Sequence, residues 1–311
     1  RVDEGFEQRM VEVHGETGRE WLTRLPEIIS LCARRWSLTV IPPFEALSYN
    51  YVAPARRQDG SPAVLKLGVP NPEIKSEIEA LRIFDGDGIA RLLDSDTDLG
   101  AMLIERLEPG DTLLSIEDDE QATSIAVGVM RNLWKPAPVN HPFPTAERWG
   151  LGFGRLRKTF DGGPGPFPSG LVDRAESLFS ELLASMGGSF LIHGDLHHEN
   201  ILSNEGRPSG QNDEREPWLA IDPKGLVAER EYEVGALLRN PMPQLLDGSN
   251  PERVTARRIA QLTEELGFDR ERILGWGLSQ AVLSAWWSYE DEGHGWESAI
   301  AVAEIFAGLI T

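Results

Sequence analysis

The twelve residues "LIHGDLHHENIL" (191–202) set two acids, three histidines and an asparagine between apolar pairs. A core strand could not tolerate so many polar groups, because each would be buried without a partner. A surface loop has no need of them. Leu191-Ile192 and Ile201-Leu202 predict that both ends are tied into a core, with a polar loop held between them. The chain must fold so as to hold this loop, and that requirement organises the rest of the reading.

The first 107 residues read as a helix, a sheet, one inserted helix and more sheet. Trp21, Leu22, Leu25, Ile28, Ile29, Cys32 and Trp36 recur at helical spacing within 16–38. "FEALSYNYVAPARRQDGSPAVLKLG" turns strand-like, with Asp59-Gly60 as a hairpin signal. "PNPEIKSEIEALRIFDGDG" predicts a helix that starts at Pro72 and ends at a glycine-rich stop. "IARLLDSDTDLGAMLIERL" follows as two short strands joined by an acidic turn. From 108 to 311 the pattern is helical, over roughly 117–134, 145–160, 170–186, 230–239, 252–266 and 270–288. "DGGPGPFPSG" is a loop between two of these helices. One β segment interrupts them, from Phe190 through "IDPKG", and the polar stretch "SNEGRPSGQNDEREP" separates its strands as an exposed loop. The expectation is an α+β chain with a sheet-rich lobe over 1–107 and a larger helical lobe over 108–311.

With 311 residues, 41% of them hydrophobic, the chain can bury a sizeable core. A net charge of −20 would repel a phosphate backbone, and the basic residues gather only in pairs such as Arg34-Arg35. Nucleic acid is therefore not an expected partner, whereas a small cationic molecule would be attracted. The single cysteine, Cys32, excludes an internal disulfide and falls on a helical apolar stripe, which predicts a buried structural thiol. No apolar run is long enough to span a bilayer, so a cytoplasmic location without membrane contact is expected.

His193, Asp195 and Asn200 spell H-x-D-x-x-x-x-N, and Asp222 of "LAIDPKG" follows 22 residues after Asn200. Upstream, "AVLKLG" puts Lys66 on a strand, and the next helix offers Glu77 and Glu79. Phosphoryl transfer calls for these residue types. A carboxylate orients the attacking hydroxyl and accepts its proton, an Asn and an Asp hold Mg²⁺, and a Lys steadied by a helix Glu grips the phosphates. The order Lys, Glu, Asp-(4)-Asn, Asp-x-x-Gly matches the set found in protein kinases.

These segments resemble a family. "HGDLHHENIL" followed by "IDPKG" is similar to the aminoglycoside phosphotransferase branch of the protein-kinase-like fold. "VLKLGVPNPEIKSEIEALR", "ARLLD" and "LIERLEPGDTL" resemble more closely its streptomycin 6-kinase and hydroxyurea-kinase group, and the motifs run in order from about Phe44 to Asn240. The resemblance implies ATP and Mg²⁺ as cofactors, with Asp195 as catalytic base and Asn200 and Asp222 as metal ligands. It further implies that Lys66 contacts the α/β-phosphates, that Glu77 pairs with Lys66, and that the main chain from Glu105 to Leu107 faces the adenine. Gly194 stands where protein kinases carry Arg or Lys, and no A-P-E segment is present, which lowers the reading of a protein substrate. "YNYVAPARRQDGS" lacks G-x-G-x-x-G, so phosphate contacts there would come from main-chain amides or from Arg56 and Arg57.

The implied activity is transfer of the γ-phosphoryl group to a hydroxyl of a streptomycin-type aminocyclitol. Another small acceptor (hydroxyurea, a sugar or an amino alcohol) fits the same motifs, and a nucleotide-binding pseudokinase is the reading from a different class. The histidines of the loop read as structural; His197 and His198 have no Cys or paired acid at zinc-like spacing. In "WWSYEDEGHGWE" (286–297) one reading is helix packing followed by a solvated acidic turn. The other has Asp291 and Glu292 lining a pocket for a guanidino or amino sugar. Glu199, beside the loop, is a further candidate for that role. Glu229 to Glu233 read as structural anchors. Oligomeric state is not legible.

Overall fold

The computed structural model describes residues 2–45, 47–205 and 216–310. Most of the loop expected over "SNEGRPSGQNDEREP" falls at 206–215 and lies outside the described residues. The described chain forms two compact units, one of residues 2–110 with Asn204 and Glu205, the other of 111–203 with 216–310.

In the first unit, α1 (Glu4–Arg35) begins where the Asp3 side chain caps the Phe6 amide at 2.8 Å. It starts at Glu4 rather than near residue 16 and breaks at Gly15, whose φ of 58° suits only a residue without Cβ. The arm before Gly15 is rich in Glu and carries few apolar residues, so its periodicity is thin in the sequence. Phe6 and Met10 from that arm nevertheless join Trp21, Leu25, Ile28 and Cys32 in one buried cluster. Burial pushes the Cys32 thiol up to about 11, consistent with an inert core residue.

β1 (Leu38–Val40), β2 (Tyr51–Arg57), β3 (Pro62–Leu67), β4 (Leu92–Asp96) and β5 (Ala101–Glu105) form an antiparallel sheet in the order β1-β2-β3-β5-β4. The β2–β3 connection is the turn expected at Asp59-Gly60, where Asp59 accepts from the Ser61 amide at 2.9 Å. Between β3 and β4 the chain inserts α2 (Pro72–Phe84), capped by Asn71 on the Ile74 amide. Its buried face carries Ile74, Ile78, Leu81 and Phe84, the spacing expected from the sequence, together with Glu77.

The chain leaves this unit within β6 (Pro109–Thr112). The second unit is mainly helical: α3 (Asp119–Leu133), α4 (Ala146–Thr159), α5 (Ser169–Ala184), α6 (Val234–Leu238), α7 (Gln244–Asp247), α8 (Pro251–Leu266), α9 (Arg270–Glu292) and α10 (Glu297–Leu309). Two small antiparallel groups carry the loop. One joins β7 (Lys135–Pro136), β8 (Phe190–Ile192) and β11 (Leu226–Ala228), and the other pairs β9 (Ile201–Asn204) with β10 (Trp218–Ala220). The helix expected over 230–239 is broken into a 3₁₀ turn at Arg230–Tyr232 and the short α6. α9 runs past the expected end at 288, so Glu290, Asp291 and Glu292 form its last turn instead of a loop.

α9 is the axis of this unit. From Ile273 to Leu283 every residue is buried, because α4, α5, α6, α8 and α10 pack around it. A helix covered on all sides has little amphipathic contrast to read. Gly275 and Gly277 let two neighbours approach: a Cβ at Gly277 would lie 2.5 Å from Phe306 Cε1, and one at Gly275 would lie 2.8 Å from Leu182 Cδ1. No helix among the described residues is long and apolar enough to cross a membrane. Gly277→Ala is expected to cost about 1–3 kcal/mol of stability through overpacking against Phe306, read as a lowered midpoint in urea denaturation.

Candidate active site

In the first unit, Lys66 sits on β3 and Glu77 on the buried face of α2. Lys66 Nζ donates to Glu77 Oε1 at 2.6 Å, with the two residues only 4% and 8% exposed. A cation and a carboxylate this far from water hold each other in the charged state, and removal of either would strand the other. Glu79 points elsewhere and pairs with Arg82. At the end of β5, the Glu105 carboxylate accepts from the Arg91 amide at 3.0 Å and the Glu105 amide donates to the Arg91 carbonyl at 2.9 Å. Leu107 follows, buried.

In the second unit, the polar loop leaves β8 at His193, which is fully buried. Its amide donates to Glu233 Oε2 at 2.7 Å, and the next amide, of Gly194, donates to Glu233 Oε1 at 2.9 Å. Its carbonyl accepts from the Lys224 and Gly225 amides at 2.9 and 3.2 Å. The ring Nε2 lies 2.7 Å from the Ile221 carbonyl, while Nδ1 accepts from the Asp195 amide at 3.2 Å. These partners require a neutral ring with its proton on Nε2. Burial agrees, since it pushes the imidazole down to about 4.

Asn200 closes the other end of the loop. Its Nδ2 donates to the Asp195 carbonyl at 2.9 Å, and its own carbonyl accepts from the Ile221 amide at 3.0 Å. Asp222 follows directly, exposed and at a φ of 59°, a left-handed conformation that Asp tolerates better than most residues. One continuous set of hydrogen bonds therefore brings Asp195, Asn200 and Asp222 together on two short connections, β8–β9 and β10–β11. His197 Nε2 lies 3.9 Å from Asp195 Oδ2, and His197 Nδ1 accepts from the Glu199 amide at 3.3 Å. His198 is buried beside Asp119 and Arg258, and burial pushes its imidazole down to about 3.

Glu199 is exposed on the 3₁₀ turn His198–Asn200. The acids at the end of α9 have partners of their own. Glu290 forms two hydrogen bonds with Arg155, at 2.7 and 2.8 Å, and Asp291 adds to the charge around the same guanidinium. Glu292 lies 3.7 Å from His294. Glu229 and Glu233 do act as buried anchors. Glu229 binds Arg272 and the Trp276 indole N–H, and Glu233 holds the loop. Burial pushes the Glu233 carboxyl up to about 7, opposed by the two amides that favour its charged form. The sequence had no signal for Trp149 of α4, which lies against the loop at Gly194, with the ring centroid of Trp287 of α9 5.7 Å from its own.

Below about pH 6.5 the unfolded chain takes up protons that buried His193 and His198 refuse, so both histidines lose stabilising effect as pH falls. Buried Glu233 acts in the opposite sense, holding a proton between 4.5 and about 7 that the unfolded chain releases. The balance of these three groups is one proton. These groups are expected to make stability fall on acidification from 6.5 to 4.5, by on the order of 1 kcal/mol per pH unit, measured by urea denaturation at stepped pH. Glu233→Gln removes the opposing group and is expected to steepen that slope.

A family model described as aminoglycoside/hydroxyurea antibiotic resistance kinase matches residues 35–293. The chain is 34% identical over 308 residues to a streptomycin 6-kinase of Streptomyces griseus, covering 98% of this chain and 97% of that one. It is 33% identical over 304 residues to a hydroxyurea phosphotransferase of Kitasatospora aureofaciens, covering 94% of this chain and 82% of the relative. Among solved structures, a choline/ethanolamine kinase family protein from Mesorhizobium loti matches with a TM-score of 0.59 at 14% identity, over 92% of this chain and 94% of that one. That likeness shows the fold, which is the α+β, protein-kinase-like fold of small-molecule kinases. With the family model spanning most of its length and full-length relatives above 30% identity, the chain belongs to the aminoglycoside/hydroxyurea antibiotic resistance kinase family.

Proposed function

We propose that the protein is an ATP- and Mg²⁺-dependent O-phosphotransferase that transfers the γ-phosphoryl group to a hydroxyl of a streptomycin-type aminocyclitol. The observation that carries this reading is the tethering of Asp195, Asn200 and Asp222 by hydrogen bonds running through His193, Ile221 and the Asp195 carbonyl. Similarity along nearly the whole chain to a streptomycin 6-kinase supports the acceptor class.

Asp195 accepts the proton of the acceptor hydroxyl and aligns its oxygen, which forms the new bond to phosphorus as the bond to ADP breaks. Asn200 and Asp222 hold magnesium. Their donor set fits: turning Asn200 Nδ2 to the Asp195 carbonyl leaves its Oδ1 for a cation, and Asp222 adds an exposed carboxylate. Two hard oxygens suit Mg²⁺, which takes its remaining ligands from phosphates and water. When bound, magnesium offsets charge on the triphosphate. Lys66, steadied by Glu77, contacts the α/β-phosphates, and the main chain from Glu105 to Leu107 faces the adenine. Glu199 offers a carboxylate to a cationic acceptor.

Similarity to a hydroxyurea phosphotransferase favours hydroxyurea as the second acceptor to test. A coupled assay of ADP release against streptomycin, hydroxyurea, neutral sugars and amino alcohols separates these readings. Turnover is expected with streptomycin, and an absence of ADP above the ATP-only background for every acceptor would point to a nucleotide-binding pseudokinase. Asp195→Ala is expected to lower kcat by about 10²–10⁴ while ATP binding persists. Lys66→Ala should raise the KM for ATP by about 10- to 100-fold, as the loss of a charge-assisted contact requires.

A further inference from the structure

The acceptor is the part of this reaction that the tethered loop leaves open, and the surface beside the loop is aromatic. Trp149, one turn into α4, meets the loop at Gly194, the residue before Asp195. A Cβ built on Gly194 would lie 3.3 Å from the Trp149 indole Cη2. Gly194 also has a φ of 87°, a backbone conformation that favours glycine there. Trp287 of α9 stands edge-on to Trp149 at an interplanar angle of 79°. Behind them Tyr232, buried, packs 6.2 Å from Trp149.

Both tryptophans are only half-buried, unlike Trp276 and Trp286, which the core encloses. Their indole N–H groups make no hydrogen bond among the described residues and are not sealed from solvent. By contrast, Trp276 spends its N–H on Glu229. Gly152 allows α4 to close on α9, where a Cβ would lie 2.9 Å from Leu283 Cδ2, and the two-fold Arg155–Glu290 contact clamps the same helices. That clamp also occupies Glu290 and draws on Asp291, while Glu292 lies against His294. The acids of this region are thus engaged, whereas the two half-buried indoles spend no N–H on a described partner.

We propose that Trp149 and Trp287 form the acceptor subsite, a two-ring wall that takes a cationic ring-shaped polyol bearing guanidinium or ammonium groups. The inference rests on the reading of Asp195 as the base of a phosphotransferase and deepens it by naming what holds the acceptor. The indole faces attract the cation and cover the apolar C–H face of the ring. The indole N–H groups donate to its hydroxyls. The net charge of −20 favours arrival of such an acceptor. These residues bind and orient the substrate and exchange no proton with it.

The test uses the full chain with streptomycin as the probe, reading turnover in the ADP-release assay and binding by calorimetry. Trp149→Leu and Trp287→Leu are each expected to raise the KM and Kd for streptomycin by about 5- to 30-fold. The KM for ATP should stay within about twofold of wild type. Trp287→Phe keeps an aromatic face but no N–H and should recover part of the loss in streptomycin KM. Leucine variants with unchanged unfolding midpoints and unchanged streptomycin KM and Kd would overturn the subsite. Turnover of hydroxyurea or neutral sugars only, with no binding of streptomycin, would overturn the subsite and leave the phosphotransferase reading standing. Streptomycin binding that the leucine variants lose, without turnover of any acceptor by wild type, would support the wall and defeat the assignment of the reaction.

Discussion

The hydrogen bonds of one buried histidine hold the second unit's chemistry in place. His193 has no exposure, yet its amide, its carbonyl and both ring nitrogens are all engaged, by Glu233, by the amides of Lys224 and Gly225, by Ile221 and by Asp195. A polar residue this far from water is tolerable only when its groups are satisfied. Each bond also ties a different piece of chain to the same point. Through it the loop holding Asp195 and the turn holding Asp222 share one anchor, and neither can shift without breaking a buried bond. Local geometry at a site is worth most when fixed in this way before a ligand arrives.

Buried charge is used twice, with different outcomes. Lys66 and Glu77 face each other directly, each supplying the counter-charge that the other needs away from water. Glu233 faces amides instead of a cation, and the partial charges of two N–H groups compete with burial, which leaves its carboxyl near 7. A side chain poised between the two forms in the floor of a loop couples the loop's stability to pH. Arg272 gives Glu229 the full counter-charge that Glu233 lacks, and Glu229 serves to fasten α9 to the segment after β11.

Much of the fold was legible where one face of an element is buried and the other wet. α2, the β2–β3 hairpin and α3 lie close to their expected positions because period and caps agree in each. The first arm of α1 was hidden, since four apolar residues cut off from the rest of the helix at Gly15 make too short a stripe. The end of α9 was misplaced because its last turn is exposed and made of acids that suggest a solvated turn, yet they find Arg155 and His294 as partners. In the candidate site, Asp195, Asn200, Asp222, Lys66 and Glu77 carry a pattern of residue type and spacing. Trp149 and Trp287 carry none, being 138 residues apart in sequence.

The sequence by itself determined the family and its class of reaction, because Lys66, Glu77, Asp195, Asn200 and Asp222 stand as fixed chemical types in a fixed order. It determined as well the loop's confinement, through the apolar pairs at its two ends. Only the tertiary structure decided that Glu233 anchors the loop, that Trp149 meets it at Gly194, and that Trp287 of a distant helix stands edge-on to Trp149. Such choices depend on how helices pack around α9 and on which side chain is left facing inward. They are set by the sum of many weak contacts between residues far apart in the chain, and no short stretch of sequence contains them.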